Sequence, residues 1–393
     1  ATLSALLGTF RTLETLEKFM AAKLFEPIEL RGLKLPNRIV VAPMTQFSAE
    51  EGVGGDWHLM HLGQYAVSGA ALSLTESCYV APNARNARSC LSLYSDEQET
   101  AIGRIAQFFD SHSDGFFGVQ LCHAGRKASA REPFKGGGPL PISEGGYEAS
   151  APSAVPLNEE WPAPKPLSAE AVSDVIQLFV DSARRAERAG AKVIELHGAH
   201  GYLIHQFLSP LTNRRNDEYG GSSRNRMRFA VDVFDAVRAV WPDELPIGIR
   251  VSATDWVEGG WSVEETVELG RILDQRGCDY IHVSSGGLSP AQKITVGPGY
   301  QVGFAESVKS AVKMPVIAVG QINDAEFAET ILQDQKADMI ALARPVIYDP
   351  KWVWHAAHQL GAPIAYPRQY ERGHPDRWGA SGINAPGNLI PEK

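Results

Sequence analysis

The chain is short of the features that mark metal, membrane and nucleic-acid proteins. Only four cysteines occur in 393 residues. Cys78, Cys90, Cys122 and Cys278 are widely spaced and form neither a CxxC pair nor the tight cluster of a zinc or iron–sulfur site. They read as reduced thiols buried in a cytoplasmic protein. No apolar run approaches the roughly 20 residues that cross a bilayer. The leading ATLSALLGTFRTLETLEKFM is broken by Arg11, Glu14, Glu17 and Lys18, unlike a cleaved secretory signal. Acidic residues outnumber basic ones, 46 to 37, and no dense Lys/Arg run could neutralise a phosphate backbone, so nucleic acid is not an expected partner. No GxGxxG follows the first strand-like run, which argues against a doubly wound dinucleotide fold.

What is present is a rhythm. Eight runs rich in β-branched and aliphatic residues occur at 38–43 (RIVVAP), 71–77 (ALSLTES), 116–121 (FFGVQL), 192–197 (KVIELH), 246–251 (PIGIRV), 279–284 (DYIHVS), 315–319 (PVIAV) and 338–343 (DMIALA). Most are nearly continuous in hydrophobicity, as parallel strands covered on both faces must be. Between them lie helical spacings. Val172, Val175, Ile176, Phe179, Ala183 and Ala186 follow the 3.6-residue period, and Gly190 ends that helix. Ser262 and Glu265 form a capping box before a later helix. A glycine precedes three of the strands in the same way, at Gly69, Gly190 and Gly277. Eight alternations predict a (β/α)8 TIM barrel. Residues 131–166 interrupt the rhythm with GGGPLP, EGGYEASAPSAVP and WPAPKP, too rich in Gly and Pro for a regular element. They read as an excursion after the third strand that caps the catalytic mouth.

In such a barrel the chemistry sits just past the strand ends. After the fourth strand comes His197-Gly-Ala-His200-Gly-Tyr202, two imidazoles and a phenol within six positions. A metal reading lacks the glutamate of HExxH or any carboxylate in the motif. A structural reading, with both imidazoles satisfied by backbone, does not account for so many polar groups at one strand end. The functional reading has the imidazoles donating to a carbonyl oxygen. The phenol, whose ordinary pKa is about 10, stays protonated and can give up a proton.

The segment HGAHGYLIHQFLSPLTNRRNDEYGGSSRNRMRF resembles the signature of the old yellow enzyme family of FMN-dependent ene-reductases. LFEPIELRGLKLPNRIVVAPMTQFS, GVQLCHAGRKA and QYERG extend the resemblance from Leu24 to Gly373, closest to the thermophilic-like branch. It implies domains at 1–23 (N-terminal extension), 24–373 (FMN-binding barrel) and 374–393 (tail). It implies that Ala42, Pro43, Met44 and Thr45 contact FMN after the first strand, Ser77 after the second, and His197 after the fourth. Gln120 would bind the pyrimidine edge of the flavin, and Arg250 would set the charge near its N1 and O2. Gly320, Ala343 and Arg344 would hold its phosphate. NADPH or NADH would reduce the flavin, and an α,β-unsaturated carbonyl would then meet Phe47, His197, His200 and Tyr202.

Two positions depart from the branch, which usually has Cys in place of Thr45 and Tyr in place of Phe47. Thr45 lacks the sulfur, and Phe47 lacks a hydroxyl to fix substrate. The QYERG motif implies a homodimer or homotetramer in which Arg372 reaches a neighbouring subunit's substrate site. The competing readings are a larger dienoyl-CoA or amine oxidoreductase on the same barrel, which would carry an iron–sulfur cysteine cluster that this sequence lacks, a flavin-free barrel lyase and a non-catalytic barrel. A Schiff-base lyase needs a lysine at a strand end, whereas Lys192 begins its strand.

Overall fold

The structure, a computed structural model, describes residues 22–375. The N-terminal extension up to residue 21, and the tail from residue 376 with Trp378, lie outside the described residues.

Eight parallel strands close into a barrel. They are β1 Ile39–Val41, β2 Leu72–Tyr79, β3 Phe116–Cys122, β4 Val193–Gly198, β5 Ile247–Ser252, β6 Tyr280–Ser284, β7 Val316–Ala318 and β8 Met339–Leu342. Pairing runs in chain order and β8 returns to β1, with Leu342 opposite Val41. All eight expected strands are present, within two residues of their sequence bounds. The helix expected around Val172–Ala186 spans Ala169–Arg188, capped by the Ser168 side chain. The Ser262/Glu265 capping box opens the helix Val263–Gln275 as expected. Gly69, Gly190 and Gly277 all take positive φ, 83° to 91°, which closes each helix-to-strand joint at no Cβ cost.

The inward face of the barrel changes character along its axis. At the end where strands begin, Val40, Leu72, Val193, Ile317 and Met339 form one apolar cluster. A hairpin of Ile28–Leu30 and Leu33–Leu35 adds Leu30 and Leu35 to that cluster and plugs this end. Each leucine is essentially fully buried, worth about 1.5–3 kcal/mol of transfer free energy. Further up, every second position turns polar. β3 supplies Gln120, β4 supplies Glu195 and His197, β5 supplies Arg250, and β6 supplies His282 and Ser284. Gly248 of β5 leaves room for the Tyr280 ring, since a Cβ there would lie 2.2 Å from it.

The 131–166 excursion follows β3 as expected and is mostly irregular, with short 3-10 turns at Pro133–Lys135 and Ile142–Glu144. It is not wholly irregular, however: Ser150–Ala151 pairs in parallel with Lys165–Pro166, a small sheet that composition alone does not reveal. No helix among the described residues is long and apolar enough to cross a membrane.

Candidate functional site

The strand ends gather the polar groups. His197 is the penultimate residue of β4, and the chain then turns through His200, whose φ is 55°, before Tyr202 caps the helix Leu203–Leu208. The His197 ring centroid lies 5.2 Å from that of His200 and 5.0 Å from that of Tyr202. The turn is fixed from three sides. Ser252 Oγ accepts the His200 N–H at 2.9 Å, Ser284 Oγ bonds His200 Nε2 at 2.7 Å, and Lys127 Nζ donates to the His200 carbonyl at 2.8 Å. Burial, followed by the Arg250 charge, pushes both imidazoles well below the usual histidine range, so both are neutral at pH 7. Burial raises the Tyr202 phenol, which therefore keeps its proton.

Below this triad runs a buried chain of hydrogen bonds. Ser77 Oγ donates to Gln120 Oε1 at 2.8 Å, Gln120 Nε2 donates to Glu195 Oε1 at 2.8 Å, and Glu195 Oε2 meets His282 Nδ1 at 3.0 Å. Arg250 lies opposite His197 and His282 in register, and the Glu195 carboxylate is its counter-charge. The chain fixes the Gln120 amide between Ser77 and Glu195, and sets the Glu195 charge near Arg250.

On the β7–β8 side a cavity of about 210 Å³ is lined by His200, Arg250, Gly320, Ala343 and Arg344, among others. Arg344 begins the short helix Arg344–Tyr348 and is exposed. Ala42, Pro43, Met44 and Thr45 follow β1, with Thr45 exposed and Ala42 tied to Leu342 by a backbone bond of 2.9 Å. Phe47, at φ 49°, packs with Tyr202 on a cluster that includes Tyr79, Cys90 and Cys122, and meets Phe134 of the excursion edge-on at 6.2 Å.

Arg372 is the one expected site residue that its own barrel does not bring to this end. It lies in the turn Arg368–Gly373, after a stretch packed beside Gly69 and Asp114, which precede β2 and β3. Tyr370 is held by Lys351, whose ammonium sits 4.9 Å from its ring.

Sequence reading missed Glu195, His282, Lys127 and Tyr79. The first two were detectable as polar residues two positions before His197 and Ser284 inside apolar runs. Lys127 stands within the quoted GVQLCHAGRKA segment, and only the fold shows it supporting the His200 turn.

The arrangement fits a flat, polar-edged group with an anionic tail. His197 Nδ1, Arg250 Nε and His282 Nε2 are buried without a hydrogen-bond partner, which a native interior rarely tolerates without a ligand or water. The Arg344 guanidinium is not engaged with any other described side chain. These residues fit FMN. Fold and site define a barrel that carries a phosphorylated cofactor across its strand ends.

Comparison with known proteins specifies the class. Residues 23–362 match the model of the NADH:flavin oxidoreductase / NADH oxidase family. The chain is 41% identical over 356 residues to an NADPH dehydrogenase of Geobacillus sp. (strain WCH70), covering 90% of this chain and 99% of that protein. It is 40% identical over 369 residues to an NADH:flavin oxidoreductase of Gibberella zeae, covering 89% of each. Morphinone reductase in complex with tetrahydroNAD superposes with a TM-score of 0.73 at 28% identity, covering 92% of this chain and 99% of that one. The chain belongs to the NADH:flavin oxidoreductase family, the old yellow enzyme family. It is an NAD(P)H-dependent flavin oxidoreductase with FMN as cofactor. The flavin-free lyase and the non-catalytic barrel fall away.

Proposed function

We propose that the enzyme is an ene-reductase that saturates the activated C=C bond of α,β-unsaturated carbonyl compounds. The observation that carries this reading is the convergence of two neutral imidazoles and one protonated phenol at the end of β4, the His200 and Tyr202 rings lying 5.2 Å and 5.0 Å from that of His197. His197 and His200 donate to the substrate carbonyl oxygen, which draws electron density from the β carbon. In the tautomer in which the Ser284 hydroxyl donates to Nε2, the neutral His200 ring carries its proton on Nδ1 and donates from there. Tyr202 delivers its proton to the α carbon. Phe47 lines the substrate side. Ala42 to Thr45, Ser77, Gln120, His197 and Arg250 hold the flavin ring, and Gly320, Ala343 and Arg344 hold its phosphate. When bound, FMN supplies the hydride it has received from NADPH or NADH.

Reduction of an enone in deuterium oxide tests the reading. Solvent deuterium should enter at the α carbon, trans to the transferred hydride. Deuterium at the β carbon, or no saturated product, would overturn it.

We further propose that the working unit is at least a dimer in which Arg372 completes a neighbour's substrate pocket. The support is its position at the wrong end of its own barrel, beside a QYERG motif. Exchange of Arg372→Ala subunits with Tyr202→Phe subunits should restore part of the activity, because some hybrid sites escape both lesions. No recovery after verified exchange, or a strict monomer, would contradict it.

A further inference from the structure

Tyr79 is the last residue of β2 and is entirely buried. Its backbone is clamped on both sides: its N–H donates to Leu91 O at 3.0 Å, its carbonyl accepts Leu93 N–H at 3.0 Å, and Cys122 stands opposite in register. The ring is packed among Ala87, Cys90, Cys122, Ala124, Ala128 and Ala149. It meets the Tyr202 ring edge-to-face, with centroids 6.4 Å apart and planes at 83°.

The hydroxyl is the unusual part. It is buried without a hydrogen-bond partner of good geometry, although buried tyrosine hydroxyls normally find one. Its neighbours offer no strong acceptor, because burial holds the Cys90 and Cys122 thiols in the protonated form. The proton-bearing side chain of the site that Tyr79 touches is Tyr202, ring edge to ring face. Burial raises both phenols. Against that background each phenol biases the other, favouring ionisation of Tyr202 and disfavouring that of Tyr79, the sense expected when Tyr79 donates and Tyr202 accepts.

We propose that Tyr79 is a positioning residue for Tyr202: its hydroxyl aims the Tyr202 oxygen and stabilises the negative charge left there during proton transfer. The inference rests on the assignment of Tyr202 as proton donor. In that step the Tyr202 O–H bond breaks, its proton forms the new C–H bond at the α carbon, and the electron pair stays on the Tyr202 oxygen. The hydride at the β carbon comes from flavin reduced by NAD(P)H. A phenolate in this setting needs a donor, and a preorganised neutral hydroxyl strengthens its bond as the charge develops. The ammonium of Lys127, 5.5 Å from the Tyr202 ring centroid, acts in the same sense from another side. Tyr202 then recovers its proton from solvent, while Tyr79, more deeply buried and less acidic, keeps its own.

Tyr79→Phe removes the hydroxyl and keeps the ring that packs the cluster. Flavin reduction by NADPH and the affinity for a phenolic ligand should stay at wild-type values. Reoxidation by cyclohexenone should slow roughly ten- to hundredfold, the worth of a hydrogen bond to a charged group. The double variant Tyr79→Phe/Tyr202→Phe should be no slower than Tyr202→Phe alone, because the two side chains act as one unit. A readout independent of turnover is NMR of carbon-labelled tyrosine: the ζ-carbon resonance assigned to Tyr202 should move in Tyr79→Phe, with those of Tyr219 and Tyr300 in place. A wild-type reoxidation rate in Tyr79→Phe beside a slow Tyr202→Phe overturns this inference alone. So does equal slowing by Tyr79→Phe in both backgrounds, which would make its role purely structural. A wild-type rate in Tyr202→Phe would instead overturn the donor assignment, and this inference with it.

Discussion

At the end where its strands begin, the barrel is closed by Leu30 and Leu35 over Val40, Leu72, Val193, Ile317 and Met339. At the other end the same strands, a few residues further along, present His197, Arg250 and Ser284, with buried nitrogens that have no partner. The first end is held by apolar packing, with only scattered hydroxyls such as that of Tyr280 unpaired; the second gathers unpaired ring and guanidinium nitrogens at one opening, a cost the fold carries where a ligand can satisfy them. Stability should therefore reside in the plugged end and chemistry in the open one, and substitutions at the two ends should separate the two properties.

The largest separation is expected at the open end. His197→Ala removes one of two donors to the substrate oxygen. The reaction of reduced enzyme with enone should slow by roughly 10²–10³, or about 2.7–4 kcal/mol. Its midpoint in urea should stay near that of the wild type. Stopped-flow kinetics and equilibrium unfolding on the same preparation check both halves. Leu35→Ala is the mirror experiment at the plugged end. It should cost about 2–3 kcal/mol of stability, the lower part of the usual range, because a short surface hairpin can settle into the gap. Its flavin absorbance and turnover at 15 to 20 degrees below its own melting point should remain intact. Turnover that falls in step with stability in Leu35→Ala would remove the distinction between the ends.

Acid should act on the fold through histidine. Burial pushes His61 and His123 down to about 4, and lowers His197 and His200 further. Their folded pKa values lie below the unfolded value of about 6.5. Below that pH the unfolded chain therefore binds more protons than the folded one, and stability falls as pH falls. Each such imidazole should contribute about 1.4 kcal/mol per pH unit between roughly pH 6 and pH 4.5. Urea unfolding at half-unit steps measures the slope, and a flat profile in that window would show that these histidines are not held neutral.

The strand runs and the HGAHGY cluster were legible because each is local: hydrophobic runs mark strands, and the polar groups follow one of them directly. The polar interior was harder to see. Reading KVIELH and DYIHVS as nearly continuous apolar strands hides the period of two that turns Glu195, His197, His282 and Ser284 inward, and periodicity is faint over six residues. Tyr79 was invisible for another reason. Its partner Tyr202 lies two strands away, and only barrel closure sets the rings edge to face. Arg372 was found by motif, but the motif does not say at which end of its own barrel it sits. The small sheet pairs Ser150–Ala151 of EGGYEASAPSAVP with Lys165–Pro166 at the end of WPAPKP, two segments in which composition signals only a loop.

The central claim is that Tyr202 gives a proton to the α carbon at the open end of the barrel. Anaerobic stopped-flow tests it most directly, with NADPH reducing the flavin first and cyclohexenone mixed in second. For Tyr202→Phe, flavin reduction should match the wild type, while reoxidation by enone should slow by roughly 10²–10⁴, the usual worth of a positioned general acid. Reoxidation of Tyr202→Phe at the wild-type rate, or a wild-type flavin that enone does not reoxidise, would contradict the account.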